Sequence, residues 1–192
     1  MLQNKLKNKN LILASGSPRR QQFLKDLDLD FTIQLKEVEE VFPKDLKGKK
    51  IVKYLAQLKA SPFTNLKEND ILITADTIVW HKGKMLGKPK SEEEAITMLM
   101  SLSGKKHKVY SGVCLKSASK EVVFSNTTTV FFRKLTKEEI TFYVKKYNPL
   151  DKAGSYGIQE WIGLIGVKQI QGSYFNVMGF PVHKFYKEIL KF

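Results

Sequence analysis

The chain has 192 residues, 42% of them hydrophobic, enough to bury a core in one domain or in one domain with two lobes. No apolar stretch reaches the length of a membrane span, and the polar, lysine-bearing segment from Met1 to Asn10 has no signal-peptide core, so a cytoplasmic protein is expected. The net charge of +14 invites a nucleic-acid reading, but the lysines are scattered, and Lys49-Lys50, Lys105-Lys106 and Lys145-Lys146 lack the interleaved aromatics of a stacking platform.

Leu11 to Ala14 is a short apolar run ending in a Ser/Gly turn, and Pro18 then opens a helix with Phe23, Leu24 and Leu27 facing in. Phe31 to Leu35 alternates as a second strand and leads into the acidic loop Glu37-Val38-Glu39-Glu40. A helix is predicted from about Gly48 to Ala60. Ile71 to Thr74 and Thr77 to Trp80 read as strands on either side of Ala75-Asp76, and His81 to Lys84 as a hairpin turn. Ser91 and Glu94 form a capping box for a helix through Leu102. Lys108 to Ser117 and Val122 to Phe132 make a hairpin turning near Ser119-Lys120. Thr136 to Tyr147 is helical with Thr136 and Glu139 as its capping pair, Asn148 to Gln159 is a glycine-bearing loop, Ile162 to Ile170 reads as β, and Pro181 opens a last helix. Strands and helices mix without strict βαβ alternation, which predicts an α/β domain with a mixed sheet.

Cys114 stands alone and reads as a buried small hydrophobe in a reducing compartment. His81, His107 and His183 show no zinc-ligand spacing. The chain has only three arginines, and two are adjacent in Ser15-Gly16-Ser17-Pro18-Arg19-Arg20. Ser17 is placed as a helix N-cap and Pro18 as the first helical residue, so both guanidinium groups fall in the first turn. Cations there oppose the helix macrodipole, and an anionic ligand such as phosphate would resolve the conflict.

Along the next helix, Ile51, Val52, Leu55, Ala56 and Leu58 form one apolar arc with Lys59 in its middle. That ammonium must snorkel out or meet an anion. Asp76 separates two apolar runs, which places it in a turn or at the lip of a sheet, and it could act as a base if it faces a water. Glu37, Glu39 and Glu40 could supply oxygen ligands to a hard cation, or form a solvated loop. Lys88 lies on a tight turn before a helix, and Gln159 carries a paired donor and acceptor able to read a base edge. No P-loop, dinucleotide fingerprint, nucleophile elbow or zinc motif is present.

Taken in order, SGSPRR, EVEE, LKA, ADT, GKP, DKAGSYGIQ and GSYFNVMGFP resemble the Maf family, once called septum-formation inhibitors, from about Leu11 to the C-terminus. The resemblance implies a nucleoside triphosphate pyrophosphatase with a two-lobed mixed-sheet α/β fold, flanking helices and a central cleft, similar to inosine-triphosphate pyrophosphatases. It implies that Ser15, Arg19 and Arg20 hold phosphates, that Glu40, Lys59, Lys88 and Gln159 line the cleft, and that Asp76 is the proton acceptor. A divalent cation, Mg²⁺ or Mn²⁺, would be held by Glu40 and Asp76. Arg19, Thr77 and Tyr156-Gly157-Ile158-Gln159 resemble the dTTP/UTP branch rather than the 7-methyl-GTP branch. Glu160-Trp161 stands where small residues are common, and a bulky Trp161 there would trim the pocket.

The expected activity is hydrolysis of dTTP and UTP to monophosphate and pyrophosphate, with the sanitising of modified pyrimidine nucleotides as its use. The expected partner is a nucleoside triphosphate, with no stable nucleic acid and no membrane; a homodimer is left open. The rival reading is a non-catalytic nucleic-acid-binding or cell-division-arrest protein.

Overall fold

A computed structural model describes residues 1–192. Its elements in chain order are α1 (Leu2–Leu6), β1 (Asn10–Leu13), α2 (Pro18–Asp26), β2 (Thr32–Ile33), α3 (Lys49–Ala60), β3 (Asp70–His81), β4 (Lys84–Leu86), α4 (Glu92–Leu102), β5 (Lys106–Lys116), β6 (Glu121–Phe132), α5 (Lys137–Tyr147), α6 (Trp161–Gly166), β7 (Val167–Gln171), α7 (Tyr174–Val177) and α8 (Val182–Lys191). Seven strands form one mixed sheet in the order β2-β1-β3-β5-β6-β7, with β4 paired to β3. The expected α/β class with a mixed sheet and flanking helices is the class observed. No helix is long and apolar enough to cross a membrane.

The chain divides into two compact units. The first comprises Met1–Asp76, Ser111–Asn126 and Gly179–Phe192. Here β1 lies parallel to both β2 and β3, with Leu11 opposite Ile71 and Leu13 opposite Ile73. Helix α3 covers the sheet face that displays Leu72, Thr74 and Asp76, since alternate strand residues share a face. Ile12, Ala56, Ala60, Phe63, Leu72 and Cys114 pack together there. The helix comes unusually close to β5 at Gly112, where a Cβ would sit 2.3 Å from the Val52 carbonyl oxygen. Only glycine permits that approach. Cys114 is buried as expected, and burial pushes its thiol up to about 12.

The second unit comprises Thr77–Tyr110 and Thr127–Met178. Its hairpin turns through Lys82 and Gly83, both at positive φ, which is the geometry of a two-residue primed turn. Leu99, Leu102, Val130, Phe132, Ile140, Tyr143, Val144 and Ile162 form its core. The capping box of Thr136 and Glu139 is complete. At α4 only half of the expected box forms: Ser91 accepts from the Glu94 N–H, while the Glu94 carboxylate takes the Lys90 N–H.

Several elements differ from the sequence reading. The two strands flanking Ala75-Asp76 are one unbroken strand, β3, with no turn at the aspartate. The second strand pairs over Thr32–Ile33 alone, because it lies at the sheet edge with both residues exposed. The β-like stretch from Ile162 begins instead as α6, whose glycines Gly163 and Gly166 let it pack tightly before β7 starts. The polar N-terminal segment contains a short helix that buries Leu2 and Leu6. Helix α7 was not anticipated.

Candidate active site

Parallel strands β1 and β3 place the Ser15-Gly16-Ser17 turn and Asp76 at the same sheet edge, beyond the carboxyl end of β1. Open α/β sheets build their ligand sites at such ends. Ser17 is the N-cap residue of α2, but its side chain makes no cap hydrogen bond; the Ser15 hydroxyl accepts from the Ser17 N–H at 3.3 Å instead.

Arg20 folds back toward the sheet. Its Nη1 donates to the Ala75 carbonyl at 2.7 Å and to Ser15 Oγ at 3.3 Å, and its Nε donates to the Gly179 carbonyl at 3.0 Å. One guanidinium thus joins β3, the β1–α2 loop and the chain entering α8. Burial lowers the Arg20 pKa, opposed by the charge of Asp76. Arg19 is half-buried in the same first turn.

Helix and strand periodicity bring Lys59 onto Asp76. Thr74 Oγ1 donates to the Ala56 carbonyl, and one helical turn and one strand repeat further on, Lys59 Nζ lies 2.6 Å from Asp76 Oδ1. The same ammonium is 3.0 Å from Glu40 Oε1. Lys59 therefore meets anions rather than snorkelling free. Asp76 is buried, and its partner Lys59 reaches it from helix α3. Burial pushes its carboxyl above the ordinary range, more than Lys59 and then Arg20 draw it down. A carboxyl so balanced is a candidate proton acceptor with a titration nearer neutrality than a surface aspartate.

Glu40 and Asp76 converge on one positive centre, and hard oxygen donors so arranged suit a magnesium or manganese ion that completes its shell with phosphate oxygens and water. No group of three or more His, Cys, Asp or Glu side chains gathers to hold a metal without such help.

Thr77, Lys88 and Gln159 belong to the second unit. Thr77 follows Asp76 on β3 and is half-buried, and Lys88 is exposed on the turn before α4. The Gly154 N–H donates to the Gly87 carbonyl at 2.9 Å, tying the loop before Gln159 to the turn that carries Lys88. Gln159 itself sits in a turn closed by the Glu160 N–H on the Gly157 carbonyl at 3.0 Å. Trp161, expected to trim the pocket, packs edge-on against Phe142, ring centroids 4.9 Å apart.

Residues 10–192 match the family model described as Maf-like protein. The chain belongs to the Maf family. A relative named dTTP/UTP pyrophosphatase from Flavobacterium johnsoniae is 53% identical over 188 residues, 97% of each chain. Another of that name from Bacteroides thetaiotaomicron is 49% identical over 183 residues, covering 94% of this chain and 95% of that protein. Among solved structures, the Ham1 protein of Staphylococcus aureus superposes with a TM-score of 0.54 at 16% identity, over 95% of this chain and 98% of that one. A HAM1 protein from Coxiella burnetii gives 0.51 at 13% identity, over 96% and 100%. These two define the fold of this Maf protein and nothing further.

The motif order in the sequence pointed to Ser15, Arg20, Glu40, Lys59 and Asp76, and in the first unit each of these five makes a direct contact with another: Ser15 with Arg20, and Glu40 and Asp76 with Lys59. Sequence reasoning missed the carbonyls of Ala75 and Gly179 as Arg20 partners, because backbone acceptors leave no residue-type signal. It also missed Tyr143 and Lys152, which hold the Gln159 turn.

Proposed function

We propose that this Maf protein hydrolyses dTTP and UTP to the monophosphate and pyrophosphate. The observation that carries the reading is the buried Asp76 carboxylate, 2.6 Å from Lys59 and beside the arginine-bearing turn. The names of relatives at about half identity supply the substrate.

In this reading Asp76 takes the proton of a water whose oxygen bonds to the α phosphorus. The bond from that phosphorus to the oxygen bridging it to the β phosphorus breaks, and pyrophosphate leaves with the electron pair. Lys59 favours the ionised carboxylate against its burial and aims it. Ser15, Arg19 and Arg20 hold phosphate oxygens, Arg20 on a guanidinium already fixed to backbone carbonyls. Lys88 adds positive charge, and Thr77 and Gln159 with Arg19 select the base. Glu40 and Asp76 would hold a divalent ion, which when bound neutralises phosphate charge and stabilises the departing pyrophosphate. Removal of modified pyrimidine nucleotides is the use that this chemistry suits, and a cytoplasmic location matches both that pool and the unpaired Cys114.

The test is a panel of UTP, dTTP, CTP, GTP and ATP with Mg²⁺ or Mn²⁺, followed by pyrophosphate release. UTP and dTTP should lead, and EDTA should abolish turnover. A site built on hydrogen bonds rejects a mismatched base by leaving polar groups unpaired, at about 1–3 kcal/mol each. Replacing Arg19, Thr77 and Gln159 together should therefore flatten the preference more than it lowers total activity. Preference for a purine overturns the substrate assignment, and full activity in EDTA removes the metal.

A further inference from the structure

One buried hydroxyl closes the Gln159 turn from both ends. Tyr143 of α5 is fully buried in the second unit. Its hydroxyl accepts from the Gly157 N–H at 3.0 Å and donates to Glu160 Oε2. Gly157 and Glu160 are the first and last residues of the turn, and Ile158 and Gln159 are its centre. The other Glu160 oxygen, Oε1, lies 3.2 Å from Lys152 Nζ, which also bonds Asp151 Oδ1 at 2.6 Å.

Steric limits reinforce these bonds. A Cβ on Gly163 would meet the Ile158 carbonyl oxygen at 1.9 Å, and one on Gly157 would meet the Glu160 carboxyl carbon at 2.7 Å. Ile158 is buried, while Gln159 beside it is half-buried. The turn is thus held at its ends and from behind, with Gln159 as its half-exposed central residue. Lys152 is nine-tenths buried, so removing the Glu160 carboxylate would leave it only Asp151.

We propose that Tyr143 and Glu160 are positioning residues for base selection: by fixing both ends of the Gly157–Glu160 turn they hold the backbone from which Gln159 presents its carboxamide to a uracil or thymine edge. The proposal rests on the pyrimidine reading above. The donor and acceptor of an amide can match a base edge only from a suitable distance and angle, which the backbone beneath sets. A loosened turn must be ordered again when substrate binds, which raises KM. The bond-breaking step at Asp76 does not pass through this turn, so kcat should hold.

The experiment measures kcat and KM for UTP and GTP on the wild type, Tyr143→Phe, Glu160→Ala and Glu160→Gln, with amide hydrogen exchange followed across residues 153–163. Loss of a hydrogen bond to a charged acceptor predicts a rise in KM for UTP of about tenfold in Tyr143→Phe, with kcat within about twofold. The UTP-to-GTP ratio of kcat/KM should narrow, and exchange at residues 157–159 should quicken while α5 keeps its protection. Glu160→Gln keeps an oxygen for one partner and should fall between wild type and Glu160→Ala. A UTP-selective wild type whose variants keep the ratio, or whose turn exchanges no faster, overturns this proposal alone. So does a fall in kcat at constant KM, which marks the network as purely structural. A wild type that prefers GTP overturns the pyrimidine reading and this proposal with it.

Discussion

The Lys59 ammonium lies 2.6 Å from Asp76 Oδ1, and this pair couples a helix face to a sheet face in the first unit. Lys59 offsets part of the burial that pushes the Asp76 carboxyl up. The balance has a direct consequence for pH. Asp76 must be ionised to take a proton, so the acid limb of kcat/KM should fall above the ordinary aspartate value of 3.8. Lys59→Met removes the nearest cation, which draws the Asp76 carboxyl down, and should move that limb upward. A pH–rate profile of both proteins checks it; an unmoved limb would mean that Lys59 does not govern the base.

Asp76→Asn keeps the shape of the side chain and removes the base. The expected loss is about 10²–10⁴-fold in kcat, with the fold retained. Stability should respond in the opposite sense. The folded pKa of Asp76 is raised, so its contribution to stability is present in full below 3.8 and is lost as pH rises through the folded value. The Tm of Asp76→Asn relative to wild type should therefore climb between that pH and neutrality. Thermal melts across that range are the check, and a falling difference would reverse the assigned direction.

Gly112→Ala probes the contact that sets the height of α3 over the sheet. The new methyl would meet the Val52 carbonyl oxygen at 2.3 Å, so the helix must lift. We expect a loss of about 1–3 kcal/mol in denaturant unfolding, together with lower activity because Lys59 moves away from Asp76. Unchanged stability would show that the helix shifts without resistance.

Arg20→Lys retains charge and loses the fork. Bonds to the Ala75 and Gly179 carbonyls cannot both be kept by one ammonium in the same geometry. The expected cost is about 2 kcal/mol of stability, with a fall in activity although the charge is retained. Equal Tm for the two proteins would assign Arg20 to substrate only.

Much of the fold and the candidate site was legible because local rules and tertiary demands agreed. Pro18, the Thr136–Glu139 capping pair and the Lys82-Gly83 turn each act within a few residues, and each formed where its pattern predicted. Asp76 reads in the sequence as a break between two strands, in a turn or at the lip of a sheet, because an acid amid apolar residues ordinarily ends a strand. Lys59, seventeen positions earlier, supplies the charge that lets β3 continue, and pairing over that span leaves no local trace. The scarcity of arginine suggested phosphate binding, yet Arg20 and Arg133 both hold backbone carbonyls. The guanidinium fork suits either acceptor, so residue type alone could not separate the two uses. The helix α6 was hidden by its isoleucines, whose β preference yields to the close packing of Gly163 on Ile158.

The central claim is attack of water at the α phosphorus by way of Asp76. Turnover of UTP in heavy-oxygen water tests it most directly, with the products separated and weighed by mass spectrometry. The account predicts one heavy oxygen in UMP, none in pyrophosphate, and no product in Asp76→Asn above about one hundredth of the wild-type rate. Heavy oxygen in pyrophosphate, or release of orthophosphate from the γ position, would contradict it.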